Sequence, residues 1–440
     1  MKTVIMAGGK GTRISSVASD IPKPMIRIQG KPVLEHEIEC LRDQGFSDII
    51  ITVSHLAEHI MSYFGDGSAF GVNIEYYVEE VPLGNAGALF MLRDKLLDDF
   101  LLLNADSIFD IDFNRFVDFH KSRNALVTLF SHPNSHPYDS GLLIADDNCV
   151  VEKWLTKEDE RPQWYKNRVN AGLHVINPVI LDYCDIVAST VGTEIDGKRV
   201  KVDLDRQLLK PLCGTGKMVC YDSPEYVKDM GTPERYEAVC VDYALGRVTA
   251  KNLKEKQKAI FLDRDGTINK YVGFLRDINE FELLPGVAQS IKKINELGYL
   301  VIVVTNQPVI ARGEVTYEQL NQIHNKMETL LGAEGAYIDG LYFCPHHPHK
   351  GYEGEIAELK IDCDCRKPKP GMLLEASHDY NIDLKESWMI GDGENDVMAG
   401  KAAGCKTALI GVNDFNQDVS IDSLYEFVNR FLIGDEHETI

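Results

Sequence analysis

Short apolar runs alternate with amphipathic, helix-like segments along nearly the whole chain. The apolar runs include Thr3–Ala7, Asp48–Val53 and Ala259–Leu262, and the helical segments include Val33–Gln44 and Tyr317–Leu331. This alternation is typical of α/β domains, in which helices cover a mainly parallel sheet. The sequence therefore predicts an α/β fold.

Chain length and one break in composition predict two domains. The chain has 440 residues, which is more than a single hydrophobic core usually supports. The segment GRVTAKNLKEKQK at 246–258 is basic and poor in large apolar side chains, and the apolar strand AIFL follows it directly. We therefore expect one domain at 1–245, a linker at 246–258 and a second domain at 259–440.

The charge balance excludes several classes of partner. A formal net charge of −22 disfavours nucleic acid and anionic membrane surfaces, because both require a basic face.

No apolar run reaches the ~18 residues of a membrane span, and the N-terminus lacks the apolar region of a signal peptide. Ten cysteines in 440 residues are too few for a disulfide scaffold and fit a reducing compartment. We expect a cytoplasmic protein with small-molecule substrates; its oligomeric state is left open, with a homo-oligomer among the alternatives.

A glycine-rich loop follows the first apolar run. Residues 7–13 read AGGKGTR, and glycines directly after a parallel strand let backbone N–H groups approach a phosphate. The loop lacks the Gly-Lys-Ser/Thr ending of a Walker A motif, and Ile14 stands where a dinucleotide-binding motif needs its third glycine. A tight turn without a ligand is the alternative for the glycines alone. The predicted phosphate-binding residues are Gly8, Gly9, Gly11 and Thr12.

Together, AGGKGTR and the following PKPM at 22–25 resemble the sugar-1-phosphate nucleotidyltransferase family. Five further segments resemble family motifs and follow in the family's order: PLGNAGA at 82–88, LLNAD at 102–106, WLTK at 154–157, NAG at 170–172 and KDMGTPE at 228–234. The family often has Leu-Pro soon after the loop arginine. This chain has Ile-Ser-Ser-Val at 14–17, which is similar to the heptose-1-phosphate guanylyltransferase branch.

This resemblance implies a Rossmann-like domain with a mixed sheet, in which a sugar 1-phosphate attacks a nucleoside triphosphate and pyrophosphate leaves. Both reactants are polyanions, so charge neutralisation and positioning dominate the chemistry. The resemblance gives Arg13 and Lys23 the role of stabilising phosphate charge, and Asp106 and Asp229 the role of binding Mg²⁺. It implies nucleotide or sugar contacts at Gly84, Asn85, Lys157 and Asn170. GTP is the expected nucleotide, although Ala105 and Asn85 depart from the usual residues and leave the base preference open.

Acidic side chains mark a second site in the C-terminal half. The strand AIFL ends in DRDGT at 263–267, and two acids this close repel each other unless a cation lies between them. The segments TNQ at 305–307, RKP at 366–368 and GDGEND at 391–396 follow in order. Because the carboxyl ends of parallel strands meet at one edge of a sheet, we expect these segments to form one site.

These motifs resemble the haloacid dehalogenase superfamily of phosphatases. The resemblance implies that Asp263 attacks phosphorus and that Asp265 first protonates the leaving oxygen and then activates water. It implies that Thr305 and Lys367 hold the transferring phosphoryl group. Mg²⁺ would bind Asp263, Asp392 and the backbone carbonyl of Asp265.

Soft metal ligands lie between the second and third of these motifs. CPH at 344–346 and CDC at 363–365 supply four ligands joined by a long loop, which predicts a closed structural Zn²⁺ site. The predicted zinc ligands are Cys344, His346, Cys363 and Cys365. His347 and His349 are nearby alternatives to His346, and buried thiols beside surface histidines are the alternative to a metal site.

The C-terminal motifs, with IARG at 310–313, closely resemble D-glycero-D-manno-heptose 1,7-bisphosphate 7-phosphatases. Histidinol-phosphate phosphatase is the near relative. The resemblance implies a doubly wound parallel sheet with a minimal cap and a zinc loop, so that loop residues select the substrate. The predicted substrate-binding residues are Arg264, Asn306, Arg312 and Arg366. Pro308-Val309 stands where this branch commonly has Ser-Gly, which leaves the sugar and its anomer open.

The two resemblances predict one bifunctional enzyme of nucleotide-sugar biosynthesis. The hydrolase would remove the 7-phosphate of the heptose and leave the anomeric phosphate that the transferase requires, giving GDP-D-glycero-D-manno-heptose for a cell-envelope glycan. One alternative is a mannose- or glucose-1-phosphate nucleotidyltransferase fused to a phosphatase for histidinol phosphate or another sugar phosphate. A catalytically silent sensor or scaffold is the alternative of another class, although neither half lacks a predicted metal-binding acid.

Overall fold

The computed structural model describes residues 1–9, 20–81, 83–184, 190–195 and 197–434. The chain divides into two compact units. The first contains Met1–His132, Gly141–Thr156 and Val169–Asn252, and the second contains Pro133–Ser140, Lys157–Arg168 and Leu253–Ile440. The segments 133–140 and 157–168 therefore group with the second unit although they interrupt the sequence of the first. The sequence analysis did not predict this arrangement.

The first unit is built around a mixed β-sheet. Its strands are β1 (Lys2–Met6), β2 (Arg27–Ile28), β3 (Lys31–Pro32), β4 (Asp48–Val53), β5 (Asn73–Val78), β6 (Phe100–Asn104), β7 (Ser107–Asp110), β8 (Val127–His132), β9 (Leu142–Ala145), β10 (Val151–Leu155), β11 (Val169–Ile176), β12 (Glu194–Ile195), β13 (Lys198–Arg199), β14 (Met218–Asp222) and β15 (Tyr226–Asp229). The main sheet has the order β10-β9-β11-β6-β1-β4-β5, and β8 joins β11 to β14. Strand β1 runs parallel to β4 and β6, whereas β11 runs antiparallel to β6 and β8. The expected mixed sheet is confirmed.

Both faces of this sheet are covered by apolar side chains. Val4 and Leu102 belong to the core on one face, and Ile5 and Leu101 belong to the core on the other. Because neighbouring residues of a strand point to opposite faces, a strand that is buried on both faces is apolar throughout. This is why Val4–Met6 of β1 and Phe100–Leu103 of β6 are continuous apolar runs rather than alternating ones.

The helices of the first unit begin and end at recognisable signals. They are α1 (Val33–Arg42), α2 (Ala57–Phe64), α3 (Gly87–Met91), α4 (Phe113–Arg123), α5 (Pro233–Ala244) and α6 (Arg247–Ala250), with a short 3₁₀ helix at Lys23–Met25. The Asp112 side chain accepts N–H groups of the first turn of α4. Helix α1 ends near Gly45, whose φ of +87° terminates the helical geometry, so α1 is slightly shorter than the predicted segment.

The second unit has a parallel sheet. Its strands are β16 (Ala259–Leu262), β17 (Leu300–Asn306), β18 (Gly340–Cys344), β19 (Trp388–Gly391), β20 (Lys406–Ile410) and β21 (Val419–Ile421), in the order β18-β17-β16-β19-β20-β21. Each neighbouring pair is parallel. The chain moves outward from β16 through β17 and β18 and then returns to its other side at β19. Ligands commonly bind at such a reversal, beyond the carboxyl ends of the strands.

Helices accompany the strands of the second unit as the alternating pattern predicts. They are α7 (Val287–Glu296), α8 (Tyr317–Ala333), α9 (Gly371–Asp379), α10 (Glu394–Ala403) and α11 (Leu424–Phe427). Helix α8 begins with a capping box, in which the Thr316 and Gln319 side chains satisfy each other's backbone N–H groups. The α/β fold with two units is confirmed. In the described parts of the chain, no helix is both long and apolar enough to cross a membrane.

The segment 157–168 packs against α8 within the second unit. The Asn167 N–H donates to Glu328 Oε2 at 3.0 Å, and Arg168 Nη1 lies 3.1 Å from the same oxygen. The Tyr165 N–H donates to Thr329 Oγ1 at 2.9 Å. Arg168 and Glu328 are both buried, so each charge depends on the other for compensation.

Candidate active sites

Adjacent strand ends of the second unit bring acidic side chains together. Asp263 follows β16, and its N–H donates to the Ile390 carbonyl of the neighbouring β19 at 2.9 Å. Asp392 follows β19, and Asp396 lies in the first turn of α10. One carboxylate oxygen from each of these three aspartates lies within 4.8 Å of the others. The parallel sheet thus places Asp263 and Asp392 at one edge, and α10 adds Asp396, which the sequence analysis did not name as a site residue.

Lys367 is the cation of this cluster. Its Nζ lies 2.8 Å from Asp263 Oδ1 and 2.6 Å from Asp396 Oδ1. It also donates to the Val304 carbonyl at 2.8 Å. All three ammonium protons therefore have acceptors, which allows the charged group to be buried.

Three carboxylates share one ammonium group in this cluster, and the pKa values of two of them are raised. Burial raises the pKa of Asp263 to about 7; Lys367 opposes this shift and Asp396 adds to it. Burial and the charge of Asp396 raise the pKa of Asp392 to about 6. A side chain on Gly266 would collide with Asp392, so the backbone is in close contact with this carboxylate. Hard oxygen ligands with excess negative charge fit a divalent cation such as Mg²⁺.

Asp265 accepts hydrogen bonds on both of its carboxylate oxygens. Arg264 Nη2 lies 2.9 Å from Oδ1 and 2.8 Å from Oδ2. Asn269 Nδ2 donates to Oδ1 at 3.0 Å, and Gln307 Nε2 donates to Oδ2 at 2.9 Å. Burial by itself would raise the pKa of Asp265, but these donors, led by Arg264, hold it below its usual range.

A pocket of about 340 Å³ lies over this cluster. Its wall contains Asp263, Asp265, Thr305, Lys367 and Asp392. The wall also contains Tyr271, Phe274, Asn306 and Arg366. A small polar ligand can therefore contact the aspartates, the buried lysine and an aromatic surface together.

The sulfur ligands of the second unit form a separate cluster. Cys365 Sγ lies 3.2 Å from Cys344 Sγ and 3.3 Å from Cys363 Sγ, and His346 Nδ1 lies 3.3 Å from Cys365 Sγ. All four ligand atoms lie within 4.8 Å of one another. Burial is the main cause that raises the pKa of the Cys344 thiol, and of Cys365 to about 11. Three cysteines and one histidine at these separations fit a tetrahedral Zn²⁺ ion.

The antiparallel β7–β15 ladder positions two aspartates of the first unit. Asp229 pairs with Ser107, and the Met230 N–H donates to the Asp106 carbonyl at 3.0 Å. Lys23 Nζ lies 2.6 Å from Asp106 Oδ2. Lys23 is buried in the 3₁₀ helix, between two prolines that fix its backbone. The structure therefore brings Lys23, Asp106 and Asp229 together at one site.

Asp229 has further partners of its own. Arg235 Nη1 lies 2.6 Å from Asp229 Oδ2, and the Gly231 N–H donates to Oδ1 at 2.8 Å. Burial opposes ionisation of Asp229, but Arg235 and the Gly231 N–H lower its pKa below the usual range. The carboxylate is therefore ionised and oriented, as an oxygen ligand for Mg²⁺ needs to be.

The sequence analysis missed Glu37 at the same site. Glu37 is almost fully buried on α1, and burial raises its pKa well above the usual range, with Asp106 as the next contributor. The signal was an acid on the apolar face of an amphipathic helix, between Val33 and Leu41. Such a position normally holds an aliphatic side chain.

Comparison with known families identifies both halves. The family model for nucleotidyl transferases matches residues 2–243. The chain belongs to the nucleotidyl transferase family. The model for haloacid dehalogenase-like hydrolases matches residues 220–404.

Individual relatives are similar to each half. The D-glycero-beta-D-manno-heptose-1,7-bisphosphate 7-phosphatase of Yersinia pestis is 43% identical over 34% of this chain and 79% of its own length. The corresponding alpha enzyme of Burkholderia mallei is 43% identical over 35% of this chain and 80% of its own length. The C-terminal half therefore belongs with the hydrolases. HddC from Yersinia pseudotuberculosis is 26% identical, with 55% of this chain and 99% of that chain covered and a TM-score of 0.45.

In the nucleotidyl transferase half, the loop at 83–85, which was expected to contact the nucleotide, packs against the segment at 202–204. Gly84 has a φ of +88°, and a side chain there would collide with the Val202 carbonyl. Asn85 Oδ1 accepts the Leu204 N–H at 2.8 Å, so this side chain braces the loop. Gly8 lies at the end of β1 beside Ser54 and Glu79, whereas the space around Gly9 is open.

The remaining residues expected in the transferase site differ in their placement. Asn170 Oδ1 accepts the Gly172 N–H at 3.3 Å, in the irregular part of β11 where its register with β8 shifts. Lys157 is exposed and groups with the second unit. Gly11, Thr12 and Arg13 lie outside the described residues.

In the hydrolase half, the predicted role of Arg264 requires a correction. It was expected to contact substrate, but it has no exposed surface and is absent from the pocket wall. Its guanidinium is directed into the protein because Asp265 binds it in a bidentate pair and His324 accepts its remaining end. Arg264 therefore lies beneath the pocket.

The other expected substrate residues are in or near the pocket. Asn306 exchanges hydrogen bonds with the backbone of Lys367 at 2.9 and 3.0 Å. Arg366 lines the pocket and donates to the His346 carbonyl at 3.1 Å. The Arg312 guanidinium lies over the Phe274 ring at 3.9 Å from its centre. Phe274 lines the pocket, so Arg312 is near the pocket without being part of its wall.

Proposed function

We propose that this chain converts D-glycero-D-manno-heptose 1,7-bisphosphate into a nucleotide-activated heptose in two steps. The hydrolase half releases the 7-phosphate, and the transferase half joins the resulting heptose 1-phosphate to the nucleotidyl group of GTP with release of pyrophosphate. The observation that carries the hydrolase assignment is the group formed by Asp263, Lys367 and Asp396 beneath the pocket. The phosphatase relatives, named for both anomers, support the choice of sugar.

Asp263 is the nucleophile of the hydrolytic step. The negative charge of the bound phosphate ester opposes the donors around Asp265 and favours its protonated form, so Asp265 takes up a proton when the ester binds. A carboxylate oxygen of Asp263 then forms a bond to phosphorus as the bond from phosphorus to the sugar oxygen breaks, and Asp265 gives that proton to the sugar oxygen. Water then forms a bond to phosphorus and passes a proton to Asp265, and the bond from phosphorus to Asp263 breaks. Thr305 and Lys367 hold the phosphoryl oxygens throughout.

Asp263, Asp392 and the Asp265 carbonyl would hold Mg²⁺ in this site. The ion would neutralise phosphoryl charge, which is its usual contribution to phosphoryl transfer. Asp396 joins the same cluster, but its ion pair with Lys367 gives it a second task of holding the lysine in place.

The transferase step depends on charge neutralisation. Lys23 would contact the α-phosphate, where negative charge grows as the sugar phosphate attacks. Asp106 and Asp229 would hold a second Mg²⁺, which would neutralise phosphate charge. Arg13 and the glycines at 8, 9 and 11 complete the proposed nucleotide site, with Asn170 at the sugar phosphate.

The cysteine cluster would hold a structural Zn²⁺ through Cys344, His346, Cys363 and Cys365. The loop between the two ligand pairs has no strand, so an ion would stabilise its fold directly. None of the ten cysteines, all of which lie in the described parts of the chain, forms a disulfide. The proposal also includes a cytoplasmic location, a minimal cap over the hydrolase site and small-molecule substrates.

One incubation series tests both steps. The full chain with Mg²⁺ is supplied with the heptose bisphosphate and, in turn, GTP, ATP, CTP or UTP, and products are identified by mass spectrometry. We expect phosphate release without a nucleotide and a sugar nucleotide with GTP. If the bisphosphate is left intact while histidinol phosphate is hydrolysed, the heptose assignment fails. A sugar nucleotide formed from glucose or mannose 1-phosphate, but not from heptose 1-phosphate, would replace the transferase assignment.

A further inference from the structure

Arg264 is a fully buried cation directly beside the hydrolase pocket. A buried guanidinium is costly unless its donors are satisfied and its charge is compensated. Its Nη2 lies within 2.9 Å of both carboxylate oxygens of Asp265, and its Nε lies 3.3 Å from Oδ1. The planar fork therefore fixes both the position and the rotation of the carboxylate.

The other end of Arg264 meets a residue from a different element. His324 Nε2 on α8 lies 3.1 Å from Arg264 Nη1. Burial, with the charge of Arg264, lowers the pKa of His324 well below its usual value. A neutral imidazole has one ring nitrogen that accepts a hydrogen bond, so His324 can receive the Nη1 proton. His324 thus accepts from Nη1 and connects the guanidinium to α8.

We propose that Arg264 is the positioning residue of the hydrolase site and that His324 anchors it. Arg264 holds the Asp265 side chain in the orientation from which the proton that Asp265 takes up beside the bound ester reaches the leaving oxygen. This inference rests on the role given to Asp265 under the proposed function, but it is independent of which phosphate ester is the substrate.

The remaining contacts of Asp265 agree with this assignment. Asn269 and Gln307 donate to one oxygen each, and Gln307 also donates to Thr305 Oγ1 at 2.9 Å. These two amides reach Asp265 from its own loop and from the end of β17, whereas Arg264 connects it to α8. Loss of the His324 contact releases the Nη1 end of the guanidinium. The Arg264 side chain can then shift together with the Asp265 carboxylate that it holds, so that the carboxylate turns away from the leaving group.

Leaving-group dependence separates positioning from general damage. An alkoxide is a poor leaving group and needs the proton, whereas p-nitrophenolate leaves without it. His324→Leu removes the acceptor for Nη1, and His324→Gln supplies an amide oxygen in its place. The full chain with Mg²⁺ is assayed on glycerol phosphate, phenyl phosphate and p-nitrophenyl phosphate, with thermal unfolding recorded for each variant.

We expect His324→Leu to lower kcat on glycerol phosphate by about 10- to 100-fold, as loss of general-acid catalysis does. The loss on p-nitrophenyl phosphate should be below about 3-fold, KM should be unchanged, and His324→Gln should recover most of the rate. A parallel loss on all three esters, or no loss at all, overturns the proposal. Should His324→Leu fail to fold, Arg264→Lys provides the test, because lysine keeps the charge but lacks the planar fork. Arg264→Lys must then show the same larger loss of rate on glycerol phosphate than on p-nitrophenyl phosphate.

The ester series also keeps this proposal separate from the heptose assignment. If the parent enzyme hydrolyses the aryl and alkyl esters but not the heptose bisphosphate, the substrate assignment fails and the positioning role is still tested. If the selective loss is missing while the heptose bisphosphate is hydrolysed, the positioning role fails alone.

Discussion

Lys367 Nζ lies 2.8 Å from Asp263 Oδ1, so the buried ammonium is in direct contact with the proposed nucleophile. Lys367→Met leaves Asp263 and Asp396 without their shared cation. We expect phosphate release to fall by about 10²- to 10³-fold, as on removal of one stabilising donor at a transition state. Phosphate release from the heptose bisphosphate measures this effect.

The matched control is Lys369→Met, because Lys369 lies two positions away on the surface beside Asp362 and is partly exposed. It should retain the activity of the parent enzyme. Equal losses in both variants would show that the cation at 367 has no special role.

Asp106→Asn is expected to abolish nucleotidyl transfer and to leave hydrolysis intact. The substitution removes the charge that faces Lys23 at 2.6 Å and one of the proposed Mg²⁺ ligands. Pyrophosphate release should fall by at least about 10²-fold, with a higher Mg²⁺ requirement. Asp98→Asn, on the exposed surface, is the control and should leave the rate unchanged. Loss of phosphate release in Asp106→Asn would contradict two independent sites.

Cys363→Ser tests the zinc cluster. Its sulfur lies 3.3 Å from Cys365 Sγ, and its replacement removes one of four ligands. Metal analysis by mass spectrometry should show that bound zinc falls from about one ion per chain to a small fraction. The unfolding midpoint of the second unit should fall by at least about 5 °C. Cys240→Ser, in the first unit, should change neither value; a parent protein that contains no zinc after purification with added metal would refute the site.

His174 is expected to make the first unit less stable at acid pH. Its ring is buried on β11 without a hydrogen-bond partner among the described residues, and burial lowers its pKa to about 3. The folded form therefore binds fewer protons than the unfolded form below the ordinary histidine pKa of ~6.5. The resulting stability is complete above about pH 6.5 and is lost as the pH falls toward 3.

His174→Leu removes this dependence. Relative to the parent chain, the variant should gain about 2 kcal/mol in free energy of unfolding between about pH 7.5 and about pH 5, measured by denaturant titration. His59→Gln, at an exposed position, is the control and should show no such gain. A constant difference between His174→Leu and the parent across this range would mean that the imidazole protonates freely in the folded state.

Much of the fold could be predicted because its signals are local. The apolar strands β1, β6 and β16 are buried on both faces, and helix α8 carries its capping box in the sequence itself. Acids at the ends of parallel strands also predicted where Asp263 and Asp392 lie, since strand direction alone places such residues at one edge.

Side-chain direction was harder to predict than position. The sequence puts Arg264 between two site aspartates but does not show which way it points, and packing against α8 turns it inward. Glu37 is the opposite case, because its place on an apolar helix face was visible in the sequence while its proximity to Asp106 was not. Such long-range pairings depend on how separate elements pack together.

The contact of Arg168 with Glu328 has a practical consequence for dividing this protein. A fragment that stops near residue 252 would retain the 157–168 segment and lose α8, which leaves the Arg168 guanidinium without its carboxylate. A fragment that starts there would bury Glu328 without a cation. Separate expression of the halves would therefore break a buried ion pair, and inactive-site variants of the intact chain are the sounder way to study one activity at a time.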